Sequence, residues 1–218
     1  MALLFLIFLI QLGLTSGAPV EVGDMAKPSG AVICVVDGLG SSYVYPEERA
    51  YTLQGWPLGR ATLFNLTADG ARVADIRARV PETGKSHCIL VTGNLDAEPE
   101  MLGPTIFDIA RGKGFLCLAL LQRGDFAGML AEQDIVLYSA NNSLHEEPIL
   151  GARASAPQEL LRLLETQRDR FGDYNAEGPE AYSQYNRWEI DAACDLLPRL
   201  PDKFLMLINL GGADSAGH

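Results

Sequence analysis

The chain alternates short apolar runs with stretches whose apolar residues recur at helical spacing. Ala31 to Val36 is a continuous, largely β-branched run that ends at Asp37-Gly38. Such a run, bounded by glycine, fits a central strand buried on both faces. Phe115 to Leu121, Ile135 to Tyr138 and Phe204 to Leu210 read as further strands, the last closed by Gly211-Gly212. Helical spacing predicts helices from Ala61 to Ala68, Thr105 to Arg111, Pro157 to Arg170 and Pro179 to Leu197. Leu160, Leu161, Leu163 and Leu164 form the expected apolar side of the third. Ser86 to Thr92 is a short apolar stretch, and Gly172 to Gly178 reads as a polar loop. Strands alternating with helices predict an α/β fold, layered α/β/α around a mostly parallel sheet. Ligands of such sheets bind beyond the C-terminal ends of the strands. That rule points to Asp37 after the first strand and to Asp214-Ser215-Ala216-Gly217-His218 after the last.

The beginning of the chain is a separate object. Met1 to Val20 carry no charged side chain, and Ala2 to Leu14 are apolar apart from Gln11. Small residues follow at Thr15-Ser16-Gly17-Ala18. The pattern reads as a secretory signal cleaved after Gly17, although no Lys or Arg follows Met1. An uncleaved anchor and a misassigned start are the alternatives. The expected organisation is a leader over 1–17 and one domain over 18–218. The protein would then be secreted or at the cell surface, or cytoplasmic if the start is misassigned. The apolar run is too short to span a bilayer comfortably, so no stable membrane span is expected.

Composition narrows the function classes. The chain has 218 residues, 48% hydrophobic and 21% charged, which is a globular composition rather than a disordered one. Its formal net charge of −11 argues against nucleic-acid binding, which needs clustered Lys and Arg. The four cysteines, Cys34, Cys88, Cys117 and Cys194, show no metal-ligand spacing and read as buried free thiols.

Two segments carry candidate chemistry. Asp214 and His218 are four apart just past a strand, and carboxylate plus imidazole is an ordinary ligand set for Zn²⁺ or Mn²⁺. The plain alternative is an Asp helix cap with an incidental His. Pro81-Glu82-Thr83-Gly84-Lys85-Ser86-His87 places a hydroxyl, Thr83, just before an apolar helical turn. A hydroxyl there meets the positive end of a helix and favours a bound phosphate. The plain alternative is an ordinary Thr cap.

Taken in order, V-V-D-G-L-G at Val35 to Gly40, Thr83 ten positions before Gly93, and D-x-x-G-H at Asp214 to His218 resemble the alkaline phosphatase superfamily of two-metal enzymes. The resemblance is greatest to the cofactor-independent phosphoglycerate mutases. It implies a phosphoryl-transfer enzyme with a phosphothreonine intermediate on Thr83, acting as mutase, phosphatase or phosphodiesterase on a small-molecule phosphate ester. It implies two divalent ions, Zn²⁺ or Mn²⁺, with Asp37, Thr83, Asp214 and His218 among the ligands. Lys85 and His87 become candidate substrate contacts. The family completes its metal site with further downstream ligands, whereas this sequence stops at His218, and besides His87 its one other histidine is His145. The expectation is therefore an N-terminal fragment lacking the last strands, with the second metal site incomplete and activity of the piece in doubt.

Three rivals stand beside it. Ala213-Asp214-Ser215-Ala216-Gly217 is similar to the nucleophile elbow of α/β-hydrolase esterases, with Ser215 as nucleophile. Thr83-Gly84-Lys85-Ser86 mimics the end of a P-loop but lacks its first glycine. A non-catalytic exported binding protein is the third.

Overall fold

The computed structural model describes residues 4–8, 30–40, 49, 51–52, 54–58, 82–99, 103–122, 132–139, 146–174 and 179–217. Six strands form one sheet: β1 (Leu4–Phe8), β2 (Gly30–Val36), β3 (Leu116–Leu121), β4 (Ile135–Tyr138), β5 (Ile149–Ala152) and β6 (Phe204–Leu210). Their order is β1-β2-β6-β3-β4-β5. β2, β6, β3 and β4 run parallel, and β1 and β5 close the two edges antiparallel. The registers Val35↔Asn209 and Leu121↔Asn209 place β6 between β2 and β3.

Alternation along the strands divides the core into two halves. Val35, Leu121 and Leu207 face a layer to which Val91 of helix α1 (Thr83–Thr92) and Phe107 of helix α2 (Ile106–Gly112) contribute. Leu118, Leu120 and Met206 face the other layer, built from Leu160 and Leu164 of helix α3 (Gln158–Asp169) and Tyr185, Trp188 and Leu196 of helix α4 (Pro179–Leu196). The result is an α/β fold with helices on both sides of a mostly parallel sheet, as the alternation of elements implies. Both faces of β2, β3 and β6 are covered, which is why their sequences are continuous apolar runs.

The layer over α4 is locked by aromatic packing. Phe171, Tyr185 and Trp188 meet edge to face with centroids 4.9–5.5 Å apart, and Trp188 Nε1 donates to the Gln167 carbonyl at 2.8 Å. Thr105 starts α2 with a capping box. Its hydroxyl accepts from Asp108 N, and the Asp108 carboxylate accepts from Thr105 N.

Several sequence expectations change. β5 is a short antiparallel edge strand that periodicity did not suggest, since Ile149 is exposed and Gly151 interrupts it. The third helix ends at Asp169, and a 3-10 segment (Arg170–Tyr174) occupies the start of the expected polar loop. Its buried face is Leu160, Leu164 and Gln167, with Leu161 and Leu163 only partly covered. All four cysteines are free, but only Cys88 and Cys117 are buried as expected: Cys34 is half-buried, and Cys194 is exposed because it lies on the outer side of α4. The helix expected from Ala61 to Ala68 lies outside the described residues, as does most of the expected leader. Among the described residues, no helix is long and apolar enough to cross a membrane.

One buried group works against the fold. Glu189 on α4 is fully buried, and neither carboxylate oxygen has a hydrogen-bond partner. Loss of hydration pushes its pKa well above the ordinary carboxylate value. Burial, and after it Glu189, raises the Cys34 thiol to about 11. In the unfolded chain Glu189 ionises at its ordinary value, so folding stability falls as pH rises from there toward the raised folded value. Within that window one group contributes a slope of up to about 1.4 kcal/mol per pH unit. Glu189→Gln removes this titration, so its melting temperature should decline less than that of the wild type between pH 5 and pH 8. Identical pH slopes in the two proteins would show that Glu189 does not titrate between the states.

Candidate functional site

The parallel strands end in buried polar residues. Asp37 follows β2, Asn209 is the penultimate residue of β6, Gln122 follows β3 and Ser139 follows β4, and all four are buried. This row lies at the sheet edge where doubly covered α/β sheets bind ligands. Asp37 N still donates to the Leu210 carbonyl at 3.0 Å, so the ladder and its alternation extend through Asp37. Its side chain is therefore on the α1–α2 side, together with Val35 and Asn209.

Two distant stretches converge at this edge. After β6 the chain turns through Gly211 and enters helix α5 (Gly212–Gly217), which carries Asp214. The turn after β2 lies directly against it. Gly38 has φ of +71°, and a Cβ there would lie 2.5 Å from Asp214 Cα and 2.6 Å from Asp214 N. Only glycine permits both that backbone conformation and that approach. The same economy of side chain recurs across the turn. A Cβ on Gly212 would lie 2.7 Å from the Tyr182 carbonyl, and one on Gly211 would lie 2.8 Å from Gln122 Oε1. Gln122 Oε1 accepts from Gly211 N, and Asn186 Oδ1 accepts from Gly212 N at 3.1 Å, so α5 is pinned from β3 and from α4. Asp37 is 0% exposed and Asp214 5%, so two buried carboxylates hang from abutting backbones.

The other candidates sit on α1. Thr83 is its first residue and half-buried, and Glu82 is the capping position, without a side-chain cap bond. The expected Thr cap is thus replaced by a hydroxyl inside the first turn. Lys85 is tied to Glu98 by an ion pair, which raises the lysine pKa. Contact between Lys85 and a phosphate requires it to leave that partner. His87 is fully buried, and Ser86 is buried beside it. Ser215 lies inside α5, whereas a nucleophile elbow sets its serine at the strand-to-helix turn. His218 and His145 lie outside the described residues.

The structure lays the turn after Asp37 against the backbone of Asp214 and carries Thr83, Lys85 and His87 on a separate element. Among the described residues, no group of three or more His, Cys, Asp and Glu side chains is placed to hold a metal ion. The two residues whose backbones meet at this edge carry carboxylates, which suit hard divalent cations, and a hydroxyl and an imidazole would complete an oxygen-nitrogen set. The donor chemistry therefore fits the divalent ions that the sequence implies.

Compared with protein-family models, with curated proteins and with solved structures, the chain gives no match. Asn209, Gln122 and Asn186 escaped the sequence analysis. The legible signal for the first two was a polar residue at or near the C-terminal end of an otherwise apolar run, Phe204 to Leu210 and Phe115 to Leu121. Asn186 gave no such signal within its helix.

The abutment of Gly38 on Asp214 sets a stability test. Gly38→Ala combines a left-handed backbone, costing about 1–2 kcal/mol, with overpacking against backbone atoms, costing about 1–3 kcal/mol. Denaturant unfolding should show a loss of about 3 kcal/mol. A change within 0.5 kcal/mol would mean that the two turns do not touch.

Proposed function

We propose that the chain is a divalent-metal-dependent phosphoryl-transfer enzyme of alkaline-phosphatase-like fold, acting on a small-molecule phosphate ester through a phosphothreonine at Thr83. The observation that carries this reading is the abutment of the Asp37-Gly38 turn on Asp214 at the C-terminal sheet edge. The residues at issue are far apart in sequence, and their meeting is what a shared ion site requires.

Charge supports the same reading. A chain of net charge −11 repels an anionic substrate unless positive charge is supplied locally. Lys85, the nearest basic candidate in the motif, is held by Glu98. Divalent ions held by Asp37, Thr83, Asp214 and His218 would supply that charge, lower the pKa of the hydroxyl and offset the charge on the phosphoryl oxygens.

The chain's own residues then have defined tasks. The Thr83 oxygen attacks phosphorus in line as its proton leaves. The bond from phosphorus to the ester oxygen breaks, and the alcohol departs with a proton. Water, or a second substrate hydroxyl, then attacks phosphorus; the bond from phosphorus to the Thr83 oxygen breaks, that oxygen takes up the proton the attacking hydroxyl loses, and inorganic phosphate or the new phosphate ester leaves. The first turn of α1 offers its free N–H groups to phosphate oxygens, and no acidic side chain follows Glu82 in that turn to oppose them.

The test is hydrolysis of p-nitrophenyl phosphate and bis-p-nitrophenyl phosphate with Mn²⁺ or Zn²⁺ present. Thr83→Ala should lower turnover on the order of a thousandfold or more, and Thr83→Ser should keep a measurable part of it. Acid quenching with labelled substrate should trap phosphate on the wild type and not on Thr83→Ala. Unchanged turnover in Thr83→Ala would end the proposal.

A further inference from the structure

Among the described residues, Asn209 is the one buried amide at this edge that the fold does not use. Its side chain is fully buried, and both Oδ1 and Nδ2 lack a hydrogen-bond partner. Gln122 and Asn186, the neighbouring amides, each accept from a glycine N–H. An amide left unpaired in an apolar layer costs about 1–3 kcal/mol, and an apolar side chain of the same shape would avoid that cost. Around Asn209 the layer is Val35, Leu121 and Leu207, so leucine would fit the surroundings chemically.

Its place is defined by register. Asn209 pairs with Val35 on one side and Leu121 on the other, and Asp37 lies two positions beyond Val35 on the same face. The amide is thus the diagonal neighbour of the Asp37 carboxylate, one pleat deeper in the sheet. An amide nitrogen has two N–H donors and a carboxylate has only acceptors, so the two groups are complementary.

We propose that Asn209 is a positioning residue that orients the Asp37 carboxylate toward a divalent cation by donating from Nδ2 when the ion is bound. This rests on the divalent-ion reading given above. Outer partners of metal-binding side chains set their orientation and basicity, and losing one costs about 10–100-fold in metal affinity.

The test uses Mn²⁺ alone, titrated calorimetrically into the wild type, Asn209→Leu and Asn209→Ser, together with melting temperatures in chelator. Asn209→Leu should bind Mn²⁺ at least tenfold more weakly. Its melting temperature in chelator should equal or exceed that of the wild type. Asn209→Ser keeps a hydroxyl donor and should retain more affinity than the leucine variant. Equal Mn²⁺ affinity in wild type and Asn209→Leu overturns the inference alone. A leucine variant that melts lower in chelator, or fails to fold, gives Asn209 a structural role and also overturns it. A wild type that takes up no Mn²⁺ overturns the divalent-ion reading and this inference with it.

Discussion

The contact between the Asp37-Gly38 turn and Asp214 is the constraint on which the proposed site depends. It is steric before it is electrostatic. Because Gly38 has no side chain and adopts a positive φ, the backbone after β2 can lie on the backbone of α5. The sheet supplies the remaining conditions. β2 and β6 are adjacent and parallel, so both end at the same edge. Hydrogen bonds from Gly211 N to Gln122 and from Gly212 N to Asn186 then fix the direction in which the chain leaves β6.

That placement has a cost in polar burial. Asp37, Asn209 and Asp214 are all buried near the ends of strands whose other residues are apolar. Fold stability alone does not favour such a row, since polar groups in apolar layers lose hydration. Local disagreement with the rules of stable packing is characteristic of functional positions. Glu189 differs in that it lies on α4 and is shielded from water on the opposite side of the sheet. Its burial affects stability as pH changes rather than the chemistry at the edge.

Much of the architecture was legible in the sequence, because the strands are buried on both faces. Ala31 to Val36, Phe115 to Leu121 and Phe204 to Leu210 have no alternative as amphipathic helices, and their glycine boundaries are explicit. β5 was not legible, since four residues with a glycine and an exposed isoleucine carry no period. At the site, Asp37 and Asp214 were found because polar residues follow apolar runs. Asn209 was passed over because it sits one residue inside such a run, where neighbouring apolar residues dominate the reading. The ion pair of Lys85 with Glu98 depends on how the chain returns after α1, and spacing alone does not disclose that return. The exposure of Cys194 likewise depends on which side of α4 faces the sheet.

The central proposal is that Asp37 and Asp214 belong to one two-ion centre, the ion at Asp37 being the one the Thr83 hydroxyl reaches. Its most direct measurement is anomalous diffraction at the manganese absorption edge from crystals of the protein equilibrated with Mn²⁺. The expected result is anomalous peaks within bonding distance of the Asp37 and Asp214 carboxylates, with the Thr83 oxygen beside the peak at Asp37. Manganese peaks only elsewhere on the surface, or a Thr83 oxygen more than about 10 Å from both carboxylates, would contradict it.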